Sequence, residues 1–270
     1  LIVQQKIPII SCDRVSPVFC RLRFFSPRIA RESNPGNFVH IKINDNSSPL
    51  LRRAFSIHKT GREKGTFDVL FKVVGPGTRL LSQKRPGQEL DVLGPLGNTF
   101  SLPKRQNQDT ILVAGGMGIA PLFFLASDLC RNSKSDSSNI NLLYGVKNKD
   151  EFLCIKELRD LGIEVIFATE DGTQGFEGLV TQLYLKQIKK YKNQKNPRVF
   201  SCGPPAMLKV ISEYARKYNL NCEVSLENHM PCGVGACMGC VVKHGKKSKL
   251  EYKRVCKEGP VFNAREVWID

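Results

Sequence analysis

The alternation of apolar and polar positions divides the chain into three textures. From Val18 to about Leu102, apolar residues fall in short runs broken by turn signals. Gly65–Val74 alternates near its start and is stopped by Pro76 and Gly77. Arg85-Pro86-Gly87 and Gly94-Pro95-Leu96-Gly97 punctuate the chain in the same way. This texture predicts a small antiparallel β-barrel. From Thr110 to about Leu220 the pattern changes to strand and helix in alternation. The expected strands are Ile111–Ala114, Ile140–Tyr144, Glu164–Ala168 and Val199–Ser201; the expected helices are Pro121–Arg131, Glu151–Leu161, Leu179–Lys190 and Pro205–Tyr218. Such alternation predicts a doubly wound parallel sheet, an α/β domain. The polar segment Lys104–Asp109 is read as the link between the two, and the last fifty or so residues are expected to hold little regular structure. The predicted organisation is a β-barrel over 1–104, an α/β domain over 105–222 and a small C-terminal domain over 223–270.

Thr110–Leu129 is apolar and about long enough to span a bilayer, but Gly115, Gly116, Gly118 and Pro121 interrupt it. A buried strand, a glycine turn and a helix account for it, and no membrane association is expected. Leu1–Ile10 has no long apolar core and is broken by Gln4, Gln5, Lys6 and Pro8, so it does not read as a signal peptide. The chain opens on Leu1 rather than Met, which leaves its natural start open. The net charge of +16 comes from dispersed basic residues, as in Lys186–Lys190 and Lys243–Lys249, without an aromatic stacking platform. This is the charge of solvated faces, and no nucleic-acid partner is expected.

Composition matters most at cysteine. Of ten cysteines, Cys12, Cys20, Cys130, Cys154, Cys202 and Cys222 are scattered singly. A secreted disulfide framework would distribute them through a small, loop-rich chain, so a reducing, cytoplasmic compartment with one metal site is the better reading. That site is Cys232-x4-Cys237-x2-Cys240-x15-Cys256. Thiolates are soft ligands for iron–sulfur clusters or zinc. The x4-then-x2 spacing with a distant fourth cysteine is that of plant-type [2Fe–2S] sites, whereas structural zinc shows two close pairs.

Four further motifs point to nucleotides. Arg52-Arg53-Ala54-Phe55-Ser56 offers a guanidinium fork for a pyrophosphate and an aromatic ring for a flat partner. Gly75-Pro76-Gly77-Thr78 opens a helix whose free N–H groups suit phosphate. Gly115, Gly116 and Gly118 lie in a strand-to-helix turn that has the context of a dinucleotide site but not its G-x-G-x-x-G fingerprint. Phe200-Ser201-Cys202-Gly203-Pro204 is a second such turn. Asp171, in Thr169-Glu170-Asp171-Gly172, is placed to accept from ribose hydroxyls and to repel a 2′-phosphate, favouring NAD over NADP.

In this order the Arg-x-x-Ser strand, the Gly-Gly-x-Gly-x-x-Pro turn and the Cys-Gly-Pro loop resemble the ferredoxin–NADP reductase superfamily. Within it, Leu93–Asn98, Thr169–Gly172 and Ser225-Leu226-Glu227 leading into Cys232–Cys237 resemble the electron-transfer subunits of dihydroorotate dehydrogenase B, over nearly the whole chain. The resemblance implies an oxidoreductase of pyrimidine (UMP) biosynthesis. It implies FAD held by Arg53, Ala54, Phe55, Ser56, Leu70, Phe71, Lys72, Gly77 and Thr78, with NAD at Gly115, Gly116, Gly118, Asp171, Cys202 and Gly203. Ala54 stands where the family usually has proline, which removes no ligand group. It further implies a relay in which NAD exchanges a hydride with FAD, FAD exchanges single electrons with the cluster, and the cluster connects to FMN in a separate catalytic subunit, as a heterotetramer of two of each. No residue of this chain is expected to bind dihydroorotate. Small subunits of NADH-dependent ferredoxin:NADP oxidoreductases and of sulfide dehydrogenases are similar, but typically carry aspartate for one cluster cysteine, so Cys256 favours the dihydroorotate family; Cys222 lies nearby, and spacing alone does not choose between the two as the distal ligand.

Overall fold

The computed structural model describes residues 2–44, 48–102, 108–132, 139–191, 197–246 and 248–268. Six strands, β1 (Val3–Arg14), β2 (Phe19–Phe25), β3 (Phe38–Ile41), β4 (Arg53–Gly61), β5 (Thr66–Lys72) and β6 (Glu89–Leu96), close into an antiparallel barrel in the order β1-β2-β5-β4-β3-β6. Helix α1 (Pro27–Glu32) follows β2, and α2 (Pro76–Ser82) follows β5. Strand β5 shows why the barrel pattern is only partly alternating. Phe67, Val69 and Phe71 join the barrel core, while Leu70 joins a second core outside it. The buried Asp68 accepts from Arg23 Nε and Nη2, each at 2.8 Å, so the charge taken from water is paired at once. Strand β1 starts well before Val18, because Val3, Ile7 and Ile9 turn inward past intervening polar residues.

The second sheet has the order β10-β9-β8-β7-β11-β12-β15. Its strands are β7 (Thr110–Gly115), β8 (Ile140–Val146), β9 (Glu164–Thr169), β10 (Phe176–Glu177), β11 (Arg198–Cys202), β12 (Asn221–Ser225) and, antiparallel at its edge, β15 (Val261–Asn263). Helices α3 (Ile119–Asn132), α4 (Ile155–Asp160), α5 (Val180–Lys190) and α6 (Pro205–Lys217) cross over between them. Chain order runs outward from β7 in one direction and from β11 in the other, so the topological switch lies between these two paired strands. In open α/β sheets, ligands bind at that switch, outside the carboxyl ends of the strands.

The apolar stretch that suggests a membrane span is β7 plus α3. Ile119–Leu129 is almost wholly buried because α3 lies between sheet and barrel, with Phe124 in the barrel core; a helix buried on all sides has no polar stripe. Among the described residues no helix is long and apolar enough to cross a membrane. Helix α5 shows where basic charge goes: Val180, Leu183, Tyr184 and Ile188 are buried, and Lys189 and Lys190 occupy its last turn, where cations suit the helix dipole.

Two expectations are corrected. Helix Glu151–Leu161 is shortened to α4, preceded by a 3-10 turn over Lys149–Glu151 and a left-handed Cys154 at φ 61°. The C-terminal region is not irregular: β13 (Val241–Lys246), β14 (Lys249–Arg254) and β16 (Val267–Trp268) form a three-stranded sheet. The region packs onto the parallel sheet, where Cys240, Val255, Cys256 and Phe262 share one apolar cluster with Val199 and Leu208. β12 crosses the expected boundary between 222 and 223. Most of Lys104–Asp109 lies outside the described residues.

Candidate functional site

Two clefts and a cysteine loop adjoin one another where barrel, parallel sheet and C-terminal region meet. The first cleft, of about 310 Å³, is walled by Ala54, Phe55 and Ser56 of β4, Leu70, Phe71 and Lys72 of β5, and Thr78 of α2. Met117, Ala120 and the segment Ser225–Asn228 with Met230 close its other side. Neighbouring antiparallel strands put the two motifs side by side, and Phe55 and Phe71 meet at 5.5 Å. Arg53 and Gly77 are not among its walls, though each adjoins a lining residue in sequence, Ala54 and Thr78. A Cβ on Gly77 would stand 3.3 Å from Arg53 Nε and 3.6 Å from its Cζ, so the guanidinium lies directly over the glycine. Its Nη1 donates to the Leu51 carbonyl at 2.6 Å. Arg52 is not the other half of a fork: it pairs with Asp91 of β6 at 2.6 Å. Thr78 Oγ1 accepts from the Val74 and Gly75 N–H groups at 2.9 and 3.1 Å, fixing the turn.

The second cleft, of about 480 Å³, lies at the topological switch. Gly115, Gly116, Pro204 and Met207 line it on one side, and Lys147, Glu170, Leu179 and Val180 on the other. Gly118 and Cys202 stand behind the lining. A Cβ on Gly118 would meet the Cys202 carbonyl oxygen at 1.9 Å, so this glycine serves the close approach of two turns. Gly203 rests against Gly115, whose Cα is 3.1 Å from the position of a Gly203 Cβ. Cys202 is buried, and burial first, then the nearby Glu227, pushes its thiol well above the ordinary range. Asp171 is outside the lining. Its carboxylate accepts from Thr173 N–H and Oγ1 at 3.0 and 2.7 Å, and the Thr173 bonds hold its pKa below the usual value. Glu170 lines the cleft in its stead.

Lys72 belongs to both clefts and pairs across the domain boundary with Glu151, which lines the second, at 3.3 Å. The sequence does not single out Glu151 or Met230, since each owes its place to tertiary contact, and it marks Glu170 only as a member of the Thr169–Gly172 motif. Glu227, quoted there only as part of a family segment, lines the first cleft. Solvent reaches Glu227 through the cleft mouth, yet the protein packed around it raises its carboxyl pKa.

The cysteine loop begins two residues after Met230. Cys232 and Cys237 lie with their sulfurs 3.4 Å apart, and the Cys256 N–H points to Cys240 Sγ at 3.4 Å. The donors therefore come as two pairs, and among the described residues no three Cys, His, Asp or Glu side chains gather as a metal group. Two pairs of soft thiolates suit two irons, each taking two ligands, better than one tetrahedral ion. Burial acts to raise the Cys232 thiol, but the N–H groups of Cys237, Val234 and Ala236 outweigh it and hold the pKa down at about 6. Burial, and then Cys240, push Cys256 up to about 12. Arg254 steadies the loop by donating to the Gly235 carbonyl at 2.7 Å. Cys222 is in β12, buried in the same apolar cluster as Cys240 and Cys256, and no hydrogen bond joins its sulfur to theirs among the described residues.

Comparison with known proteins agrees with this division. Residues 6–100 match the oxidoreductase FAD-binding domain, 112–213 the oxidoreductase NAD-binding domain, and 227–268 the iron–sulfur cluster binding domain of dihydroorotate dehydrogenase B. The dihydroorotate dehydrogenase B (NAD(+)) electron transfer subunit of Desulforamulus reducens is 40% identical over 254 residues, 94% of each chain. That of Geobacillus thermodenitrificans is 35% identical over 99% of each. Among solved structures, that of an NADH-dependent reduced ferredoxin-NADP oxidoreductase superposes with a TM-score of 0.83 at 29% identity, covering 98% of this chain and 91% of the other. A Neisseria gonorrhoeae ferredoxin NADP+ reductase shares the fold, with a TM-score of 0.66 at 18% identity over 84% of this chain and 95% of its own. The cofactors are thus FAD, NAD and an iron–sulfur cluster, and the chain belongs to the family of dihydroorotate dehydrogenase B (NAD(+)) electron transfer subunits.

Proposed function

We propose that this chain carries electrons between NAD and the FMN of a separate dihydroorotate dehydrogenase catalytic subunit, in a cytoplasmic assembly of two copies of each. The observation that carries the proposal is contiguity. Lys72 lines both clefts, and Met230 lines the first cleft two residues before Cys232. Nicotinamide cleft, flavin cleft and cysteine loop therefore form one continuous path.

In this reading the first cleft holds FAD, which when bound converts two-electron hydride exchange into single-electron transfer. Arg53 and the turn at Gly77 and Thr78 receive the pyrophosphate, where guanidinium and helix N–H groups add. Ala54–Ser56 and Leu70–Lys72 hold the flat ring. Gly115 and Gly116 let NAD approach the backbone of the second cleft, while Gly118, Cys202 and Gly203 set the spacing of its two turns. Glu170 takes the ribose-facing part first expected of Asp171. Cys232, Cys237, Cys240 and Cys256 hold the [2Fe–2S] cluster. Residues 1–104, 105–222 and 223–270 are the three functional divisions.

Arg53→Ala should weaken FAD binding roughly thirty-fold, about 2 kcal/mol for a lost charge-assisted contact, without lowering cluster content. Equilibrium flavin fluorescence and iron analysis measure both. A second reading, a subunit of a ferredoxin:NADP oxidoreductase, draws on the superposition at TM-score 0.83. Mixing the chain with a dihydroorotate dehydrogenase catalytic subunit separates the two. NAD-linked dihydroorotate oxidation is the expected result, and activity only with ferredoxin and NADP would favour the second reading.

A further inference from the structure

One buried polar side chain is used by neither cleft nor cluster. His40, on β3, is fully buried, and neither ring nitrogen has a partner at hydrogen-bonding geometry. A buried unpaired donor or acceptor costs about 1–3 kcal/mol and asks for an explanation. The other buried histidine, His58, has one: its Nδ1 meets the Ala120 carbonyl at 3.1 Å.

The surroundings of His40 point to the cysteine loop. Its cross-strand neighbours are Ala54 on β4, which lines the first cleft, and Leu93 on β6. On its other side is Gly233, immediately after Cys232. A Cβ on Gly233 would lie 2.4 Å from His40 Nδ1 and 2.9 Å from both Cε1 and Cγ. The loop backbone therefore rests directly on the imidazole, and φ at Gly233 is 71°, which itself favours glycine. The acceptors on this side of the ring, beyond close hydrogen-bond range, are the backbone carbonyls of Met230 and Cys232.

We propose that His40 is a positioning residue for electron transfer between flavin and cluster: its ring carries the Met230–Cys232 segment, which runs from the wall of the flavin cleft to the first cluster ligand, and a ring N–H faces that segment's carbonyls, ready to donate to them when the cluster is in place. The proposal rests on the electron-transfer reading above. In the step concerned the flavin is oxidised by one electron and the cluster is reduced by one, and His40 neither gains nor loses an electron. Its part is to fix the separation and the backbone around Cys232, on which the rate and the cluster's electronic environment depend.

His40→Leu keeps volume and burial but removes both nitrogens. In the complete, cofactor-loaded protein, NADH should reduce the flavin within twofold of the wild-type rate in anaerobic stopped flow. Cluster reduction should then slow at least tenfold, and the EPR spectrum and midpoint potential of the cluster should shift. His40→Asn and His40→Gln place an amide N–H near Nδ1 and Nε2 respectively, and one of them should recover the wild-type spectrum and come within threefold of the wild-type transfer rate. A leucine variant with wild-type spectrum, potential and transfer rate would overturn the proposal. So would equal perturbation in all three variants, which would mark a packing role. Should the leucine protein not fold, the asparagine and glutamine spectra still decide: one near wild type supports the proposal, two equally altered refute it. Failure of the underlying reading looks different, because NADH would then reduce the flavin but not the cluster in the wild-type protein itself.

Discussion

Replacing Cys237 with serine should strip the iron and spare most of the flavin. Cys237 Sγ sits 3.4 Å from Cys232 Sγ in the half-buried pair of the quartet. Serine offers a harder, shorter and far less acidic ligand atom, and iron–sulfur clusters select soft thiolate. Changing an outer-shell partner of a metal site already costs 10- to 100-fold in affinity as a rule, so losing a direct ligand should cost at least about 100-fold. The first cleft, the proposed flavin site, is walled by the barrel strands, Met117, Ala120, Ser225–Asn228, Met230 and Pro260, and Cys237 is not among its walls. The variant should be yellow, with NADH still reducing its flavin and with electron delivery beyond the flavin reduced on the order of 100-fold. Iron and sulfide analysis with single-turnover absorbance records both. Full iron content would refute the ligand assignment.

Gly118→Ala should be among the most damaging single methyl groups in the nucleotide domain. The added Cβ would stand 1.9 Å from the Cys202 carbonyl oxygen, 2.3 Å from its carbon and 2.7 Å from Gly203 N. All three are backbone atoms, and the Cys202 carbonyl ends a strand paired residue by residue with β7. No rotamer change relieves the contact, so the two turns at the sheet's switch must separate. A cost of about 3 kcal/mol follows for overpacking against rigid backbone, or about 6–12 °C in melting temperature if the chain of some 270 residues unfolds as one unit. NADH affinity should fall with it, because both turns line or support the second cleft. Gly116→Ala provides the contrast. No atom lies within 4 Å of its Cβ position, and only φ of 51° resists, for about 1–2 kcal/mol. Calorimetry on the FAD-saturated proteins tests the pair, and equal melting temperatures would refute the packing argument.

The parallel sheet was legible because its strands are apolar runs and its helices have clear stripes. Where the pattern misled, a local side chain had redirected the backbone. Asn148 accepts from Asp150 N–H at 3.1 Å, and Tyr144 OH accepts from Leu153 N–H at 3.3 Å. Together they hold a 3-10 turn and an extended stretch where Glu151–Leu161 reads as one helix. The hairpin of β13 and β14 escaped notice because its residues are mostly half-buried or exposed and rich in lysine, so it lacks the apolar alternation that marks a strand. The site divides in the same way. Cysteine spacing is local chemistry and can be read directly. Asp171 has the right residue type at a strand end, but Thr173 claims its carboxylate two residues on, and only the fold reveals that Glu170 faces the cleft. His40 was out of reach altogether, since nothing in the sequence joins β3 to a loop nearly two hundred residues later.

Lys72 is counted in the walls of two clefts, and its partner Glu151 in the walls of one. One cation shared between two binding sites makes their occupancies linked variables. A ligand in the second cleft that draws Lys72 away from Glu151 alters the wall that a ligand in the first cleft meets. Linkage then fixes the converse: whatever factor NAD imposes on flavin affinity, flavin imposes on NAD affinity, with the same sign. A protein stripped of flavin should then bind NAD with a different affinity, and the two dissociation constants form a thermodynamic cycle that must close.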